Sequence, residues 1–173
     1  MVNERATVHP ECTRTLKRYN FFLDITRDFM RCPKCYASIY PDSASGRFDV
    51  IAGYPVARGE VYWSGIEVKY GGLTSLPFSR VSDNQRSWYE SHYEEYNGMW
   101  LWFCTGKRIN DDKYPRRTWL IPFKLFLSLE ENLSRKSIPS DCEKLEPYEL
   151  LWEGDGFWSI PTNHALWRNA LSE

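Results

Sequence analysis

Alternating apolar and charged residues indicate two extended strands early in the chain. Residues 60–70 alternate so that Glu67 and Lys69 fall on one face, because successive side chains of a strand point to opposite faces. Residues 47–52 alternate in the same way around Asp49. If a turn pairs the two strands, all three charged groups share one face. The same alternation is typical of any half-solvated antiparallel strand, so a purely structural role stays open.

Apolar periodicity predicts the remaining elements. Helical spacing predicts helices at 13–31, 82–96, 123–133 and 163–171. Apolar runs or alternation predict further strands at 99–104, 117–122, 148–152 and 157–161. The order α-β-β-β-α-β-β-α predicts an α/β fold in which helices flank a mixed β-sheet. We expect a single domain over 1–173, with its core at about 13–133 and a hairpin-and-helix extension at about 134–173.

Composition is compatible with this fold and sets limits on location. With 42% hydrophobic residues, a chain of 173 residues can bury an ordinary core. It contains no apolar run of the ~20 residues that a membrane helix needs, and residues 1–5 do not resemble a secretory signal. We therefore expect a cytoplasmic protein with no membrane partner.

Charge is informative through its distribution. A formal net charge of −1 gives no indication of a nucleic-acid partner. Basic residues nevertheless cluster between two predicted strands and near the start of the second helix, where they could contact DNA phosphates. They are Lys107, Arg108, Lys113, Arg116 and Arg117, with Arg80 and Arg86 near the helix. Solvated loop charges are an equally good interpretation.

The five cysteines do not suggest a disulfide framework. Two pairs, His9 with Cys12 and Cys32 with Cys35, supply the ligand types of a zinc site. A straight helix over 13–31 would hold the pairs about 28 Å apart, which argues against a shared Zn²⁺. Independent thiols are the alternative.

The three charged strand residues suggest a specific chemistry. Carboxylates such as Asp49 and Glu67 can hold a divalent cation, and a lysine such as Lys69 can orient a water through its ammonium or deprotonate it through its neutral amine. This equipment suits metal-assisted hydrolysis of a phosphodiester. The sequence has no phosphate-binding P-loop, dinucleotide-binding glycine motif or serine-hydrolase elbow.

An acidic residue on one strand (Asp49), Glu-x-Lys on the next (Glu67 and Lys69) and a helix opening with Gln85 resemble the PD-(D/E)xK nuclease superfamily. Within it, the segment 47–127 is most similar to Holliday junction resolvases of the RecU type, although Phe48 stands where the motif has proline.

The resemblance implies a restriction-endonuclease-like core and a magnesium or manganese ion (Mg²⁺ or Mn²⁺) bound by Asp49, Glu67 and the Val68 carbonyl. It also implies that Lys69 activates water, that Gln85 supports it, and that a homodimer acts on branched or duplex DNA. A restriction or homing endonuclease is an alternative within nucleases. A non-catalytic DNA-binding or assembly module that keeps the fold is the alternative outside them.

Overall fold

The computed structural model describes residues 9–24, 30–31, 38–39, 48–106 and 116–167. Its helices are α1 His9–Arg18, α2 Asp83–Ser91 and α3 Phe123–Asn132. Its strands are β1 Phe22–Asp24, β2 Met30–Arg31, β3 Ser38–Ile39, β4 Val50–Pro55, β5 Val61–Tyr70, β6 Ser75–Pro77, β7 Gly98–Thr105, β8 Arg117–Pro122, β9 Ser137–Pro139, β10 Glu149–Gly154 and β11 Phe157–Ser159.

A seven-stranded mixed sheet forms the centre of the fold, in the order β1-β4-β5-β7-β8-β10-β11. Strands β5 and β7 are parallel, and every other neighbouring pair in this sheet is antiparallel. A parallel pair needs a long crossover connection, and residues 71–97, which include α2, supply it. Two two-stranded ribbons, β2-β3 and β6-β9, lie outside the main sheet.

Apolar clusters cover both faces of the sheet. Strand β7 shows why, because Trp100 and Trp102 belong to one cluster whereas Leu101 and Phe103 belong to the other. The first cluster includes α1, and we call this side the α1 face. The second includes α2 and α3, and we call it the α2 face. The helices thus flank the sheet on both sides, as predicted.

Most predicted elements are confirmed, including the strands at β5, β7 and β8, helix α3 and the C-terminal hairpin. Strands β4, β5, β7 and β8 and helices α2 and α3 follow one another as predicted, whereas β1 and β2 lie within the predicted first helix and β3 and β6 were not predicted. The C-terminal extension also contributes to the main sheet, which was not predicted, because β10 pairs with β8. Of the predicted terminal helix, residues 165–167 are helical and 168–171 lie outside the described residues.

The predicted helix over 13–31 is confirmed over 13–18 and is wrong at 22–24 and 30–31, which are strands, while residues 25–29 lie outside the described residues. Helix α1 ends at Arg18, and the chain turns at Asn20, which has a positive φ of 65°. Residues 22–24 then form β1, which pairs with β4. The apolar residues at this point fit a strand as well as a helix, so periodicity alone could not separate them. None of the helices in the described part of the chain has the length and apolar character that crossing a membrane requires.

Candidate active site

Pairing of β4 with β5 brings Asp49 next to Glu67. Val50, the first residue of β4, is registered opposite Ile66. Asp49, which precedes Val50, therefore falls beside Glu67, which follows Ile66. Asp49 Oδ2 accepts a hydrogen bond of 2.8 Å from the Val68 backbone N–H. The two predicted acids therefore lie together at the end of the strand pair.

Glu67 and Lys69 project from β5 onto the α2 face. The Lys69 Nζ lies 2.6 Å from Glu67 Oε1. The Glu67 side chain is 3% exposed and that of Lys69 is 15% exposed. Access from solvent is therefore through the lysine and the half-buried Asp49.

Helix α2 adds Gln85 to the cluster. The helix begins with a capping box, in which the Ser82 hydroxyl accepts from the Gln85 N–H and the Gln85 side chain accepts from the Ser82 N–H. The other end of the Gln85 amide donates to Glu67 Oε1 at 2.6 Å. The predicted residues Asp49, Glu67, Lys69 and Gln85 are thus brought together, whereas their catalytic and metal-binding roles stay predictions.

Sequence reasoning missed Tyr89 as a member of this cluster. Its hydroxyl forms a side-chain hydrogen bond with Glu67. Its ring is fully buried and stacks on Phe48 with centroids 4.6 Å apart and parallel planes. Residues four apart on a helix share a face, so the spacing from Gln85 to Tyr89 was the available signal.

The environment disfavours a charged Glu67 in the absence of a cation. Burial raises the pKa of Glu67 from 4.5 to about 8, and the neighbouring Asp49 adds to the increase. Lys69 and the hydrogen bond from Tyr89 oppose the shift but do not reverse it. The pKa of Tyr89 is also raised well above its ordinary value, first by burial and then by Glu67. A cation bound between the carboxylates would relieve this repulsion.

The available oxygens fit a hard divalent cation. Glu67 Oε2 is buried and has no hydrogen-bond partner among the described residues. The Val68 N–H points to the β4 side, towards Asp49, and in an extended strand the carbonyl of the same residue points to that side too. No group of three or more His, Cys, Asp or Glu side chains suited to a metal occurs in the described ranges. Two carboxylates and a carbonyl suffice for Mg²⁺, which keeps several waters.

Several arginines predicted to contact DNA have structural partners instead. Arg116 is 8% exposed and forms two hydrogen bonds of 2.7 Å with Glu11, so its predicted DNA contact is wrong. Arg117 is half-exposed and binds Glu149 with two similar bonds.

Arg86 is also committed to partners within the fold. Its guanidinium pairs with Glu130, donates to two backbone carbonyls and lies over the Phe126 ring. Arg80 is exposed and stays a candidate for contacting DNA. Lys107, Arg108 and Lys113 lie outside the described residues.

The predicted zinc ligands are only partly described. Cys12 packs in the apolar cluster on the α1 face, where burial raises its pKa well above the ordinary value. That environment disfavours the thiolate that zinc requires. Cys32, Cys35 and the His9 side chain lie outside the described residues. The predicted distance of about 28 Å between the His9/Cys12 and Cys32/Cys35 pairs assumed a straight helix over 13–31. It no longer applies, because α1 ends at Arg18.

The chain matches no protein-family model, and no curated protein matches its sequence. Interpretation of the site therefore depends on its own geometry.

Proposed function

We propose that this chain is a Mg²⁺- or Mn²⁺-dependent endonuclease of the PD-(D/E)xK type that hydrolyses phosphodiester bonds in DNA. The observation that carries the proposal is the state of Glu67. Its carboxylate is fixed by Lys69 and Gln85 and faces Asp49, yet its Oε2 is buried with no hydrogen-bond partner among the residues described. A buried carboxylate oxygen with no hydrogen-bond partner, next to a second carboxylate, suits the role of a cation ligand.

Each residue of the site has a distinct role in this proposal. Asp49, Glu67 and the Val68 carbonyl hold the cation. When bound, the cation stabilises charge on the scissile phosphate and acidifies water. Lys69 lies at the exposed side of the cluster, where its ammonium would orient the attacking water. Its neutral amine, after releasing a proton to solvent, would accept a proton from that water. Gln85 holds Glu67 Oε1 and so leaves the other oxygen for the cation.

The proposal extends to the fold, the substrate and the assembly. A restriction-endonuclease-like topology is supported by the parallel β5-β7 pair with α2 as its crossover. Exposed Arg80, at the end of the turn before α2, supplies a phosphate contact. A homodimer that resolves branched DNA would place two such sites on two strands about a two-fold axis.

A second candidate function is a DNA-binding or assembly module that keeps the fold without catalysis. The burial of Glu67 favours it, because a carboxylate only 3% exposed is poorly placed to reach a metal from solvent. The DNA-cleavage experiment described next distinguishes this module from a nuclease.

The test is cleavage of a four-way junction and a linear duplex by the full chain, with Mg²⁺, with Mn²⁺ and with a chelator. We expect cutting that requires the metal. Asp49→Asn and Lys69→Ala should slow it about a hundredfold or more, the size of a lost acid-base or metal-ligand contribution. Lys144→Ala removes an exposed lysine and should cut like the unaltered protein.

Two results would overturn the nuclease proposal. One is cutting by Lys69→Ala at the unaltered rate. The other is retention of DNA in a binding assay with no cutting of either substrate in Mg²⁺ or Mn²⁺, which would support the non-catalytic module.

A further inference from the structure

We infer that Tyr89 is a positioning residue that fixes both metal-binding carboxylates, holding Glu67 through its hydroxyl and Asp49 through its ring. This inference rests on the proposed nuclease function, because it assumes that these two carboxylates share a cation. The two contacts of Tyr89 are made by different parts of the side chain. They can therefore be removed separately.

The hydroxyl of Tyr89 is a third polar group beside Glu67. Lys69 approaches from the same strand, and Gln85 and Tyr89 approach from α2. A carboxylate held from both elements has little freedom to rotate, so the direction of Oε2 is fixed. Donors around a buried carboxylate also stabilise its charged form, which is the form that binds a cation.

The ring of Tyr89 acts on Asp49 through Phe48. The Phe48 ring lies flat on Tyr89, with centroids 4.6 Å apart, and both side chains are buried. The Phe48 ring also lies close to Gly65 of β5, where the side chain of any larger residue would overlap it. Phe48 is thus held between β5 and α2. Phe48 directly precedes Asp49, so the packing of the Phe48 ring fixes the backbone position from which the Asp49 side chain projects.

Tyr96 offers a matched control. It is also buried, and its ring meets the same Phe48 edge-on with centroids 5.1 Å apart. The pKa of Tyr89 is raised by burial and also by Tyr96, whereas the pKa of Glu67 is shifted by burial, Asp49, Lys69 and Tyr89. Tyr96→Phe therefore removes a different buried hydroxyl from the same aromatic cluster.

The test measures Mn²⁺ binding to the full chain without DNA, followed by the Mn²⁺ dependence of cleavage. We expect Tyr89→Phe to stay folded and to bind Mn²⁺ about tenfold more weakly, as loss of a hydrogen bond to a charged group implies. Tyr89→Leu, which also removes the ring stack, should bind more weakly still. Tyr96→Phe should bind within about twofold of the unaltered protein.

The outcomes distinguish this inference from the proposed function. If Tyr89→Phe binds Mn²⁺ as tightly as the unaltered chain, or if Tyr96→Phe loses as much affinity, Tyr89 has no specific positioning role. If the unaltered chain binds no Mn²⁺, the positioning role is also overturned. If it binds Mn²⁺ but cuts no DNA, only the nuclease proposal fails, and the Tyr89 comparison still decides the positioning role.

Discussion

Two buried glutamates on opposite faces of the sheet differ in how their oxygens are used. On the α1 face, Glu11 is 5% exposed and binds Arg116 through both oxygens at 2.7 Å. The Trp158 indole N–H donates a further bond of 3.1 Å to its Oε2. On the α2 face, Glu67 is equally buried, and Lys69 and Gln85 both contact its Oε1, whereas Oε2 has no hydrogen-bond partner among the described residues.

This difference is the reason why we assign Glu67, and not Glu11, to the proposed site. A buried charge that is fully paired, like Glu11, needs nothing further from solvent. Glu67 is equally buried, but one oxygen has no hydrogen-bond partner in the described structure and a second acid lies close by. Burial alone therefore does not identify a site. The feature that indicates a site is a buried carboxylate with an oxygen that lacks a hydrogen-bond or ion-pair partner.

The largest expected effect comes from breaking the complete pair. Arg116→Met leaves Glu11 buried without its cation and should lower the free energy of unfolding by ~3–5 kcal/mol. Arg117→Met is the control, because Arg117 makes a similar two-bond contact with Glu149 but both side chains are partly exposed. It should cost less than ~1 kcal/mol. Urea unfolding measures both, and equal losses would contradict the structural role of Arg116.

A pH dependence is the next expected effect, and it belongs to Glu67. Its pKa is raised from 4.5 to about 8 in the folded chain, so between these values the folded state keeps a proton that the unfolded state has released. Without divalent cations, the free energy of unfolding should therefore fall as pH rises from 4.5 to 8, by on the order of a few kcal/mol. Urea unfolding across this range should show a weaker fall for Glu67→Gln. An identical pH profile for both proteins would contradict the account.

A smaller effect is expected where Phe48 meets β5. An alanine methyl at Gly65 would overlap the Phe48 ring, which could not then keep its present stack on Tyr89. Gly65→Ala should cost ~1–3 kcal/mol, the range for overpacking. At Gly72 an added methyl meets only ordinary contacts, so Gly72→Ala should change stability by less than ~1 kcal/mol. Thermal unfolding tests the pair, and a tolerated Gly65→Ala would show that Phe48 is not tightly held.

Local periodicity was sufficient to predict much of the site. Strand alternation placed Glu67 and Lys69 on one face, and the Ser82 cap placed Gln85 in the first turn of α2. These relations depend on residues close in sequence. The position of Tyr89 was implied by helical spacing, but its contact with Phe48 depends on how α2 docks on the sheet.

Contacts between distant segments could not be predicted. The sequence grouped Arg116 and Arg117 as one basic cluster, yet one is buried against Glu11 and the other is half-exposed beside Glu149. Neighbouring residues of a strand point to opposite faces, but which face is buried under α1 depends on a partner 105 residues away. The end of α1 was mispredicted because the chain changes direction at Asn20, which no apolar periodicity indicates.

Direct Mn²⁺ binding tests the central claim, that Glu67 Oε2, which has no hydrogen-bond partner among the described residues, is a ligand in a cation site. The unaltered chain should take up one Mn²⁺, measured as loss of the free-ion magnetic resonance signal. Glu67→Gln should stay folded and bind at least about tenfold more weakly, whereas Glu90→Gln, which alters an exposed glutamate on α2, should bind normally. No Mn²⁺ uptake by the unaltered chain, or equal uptake by Glu67→Gln, would contradict the account.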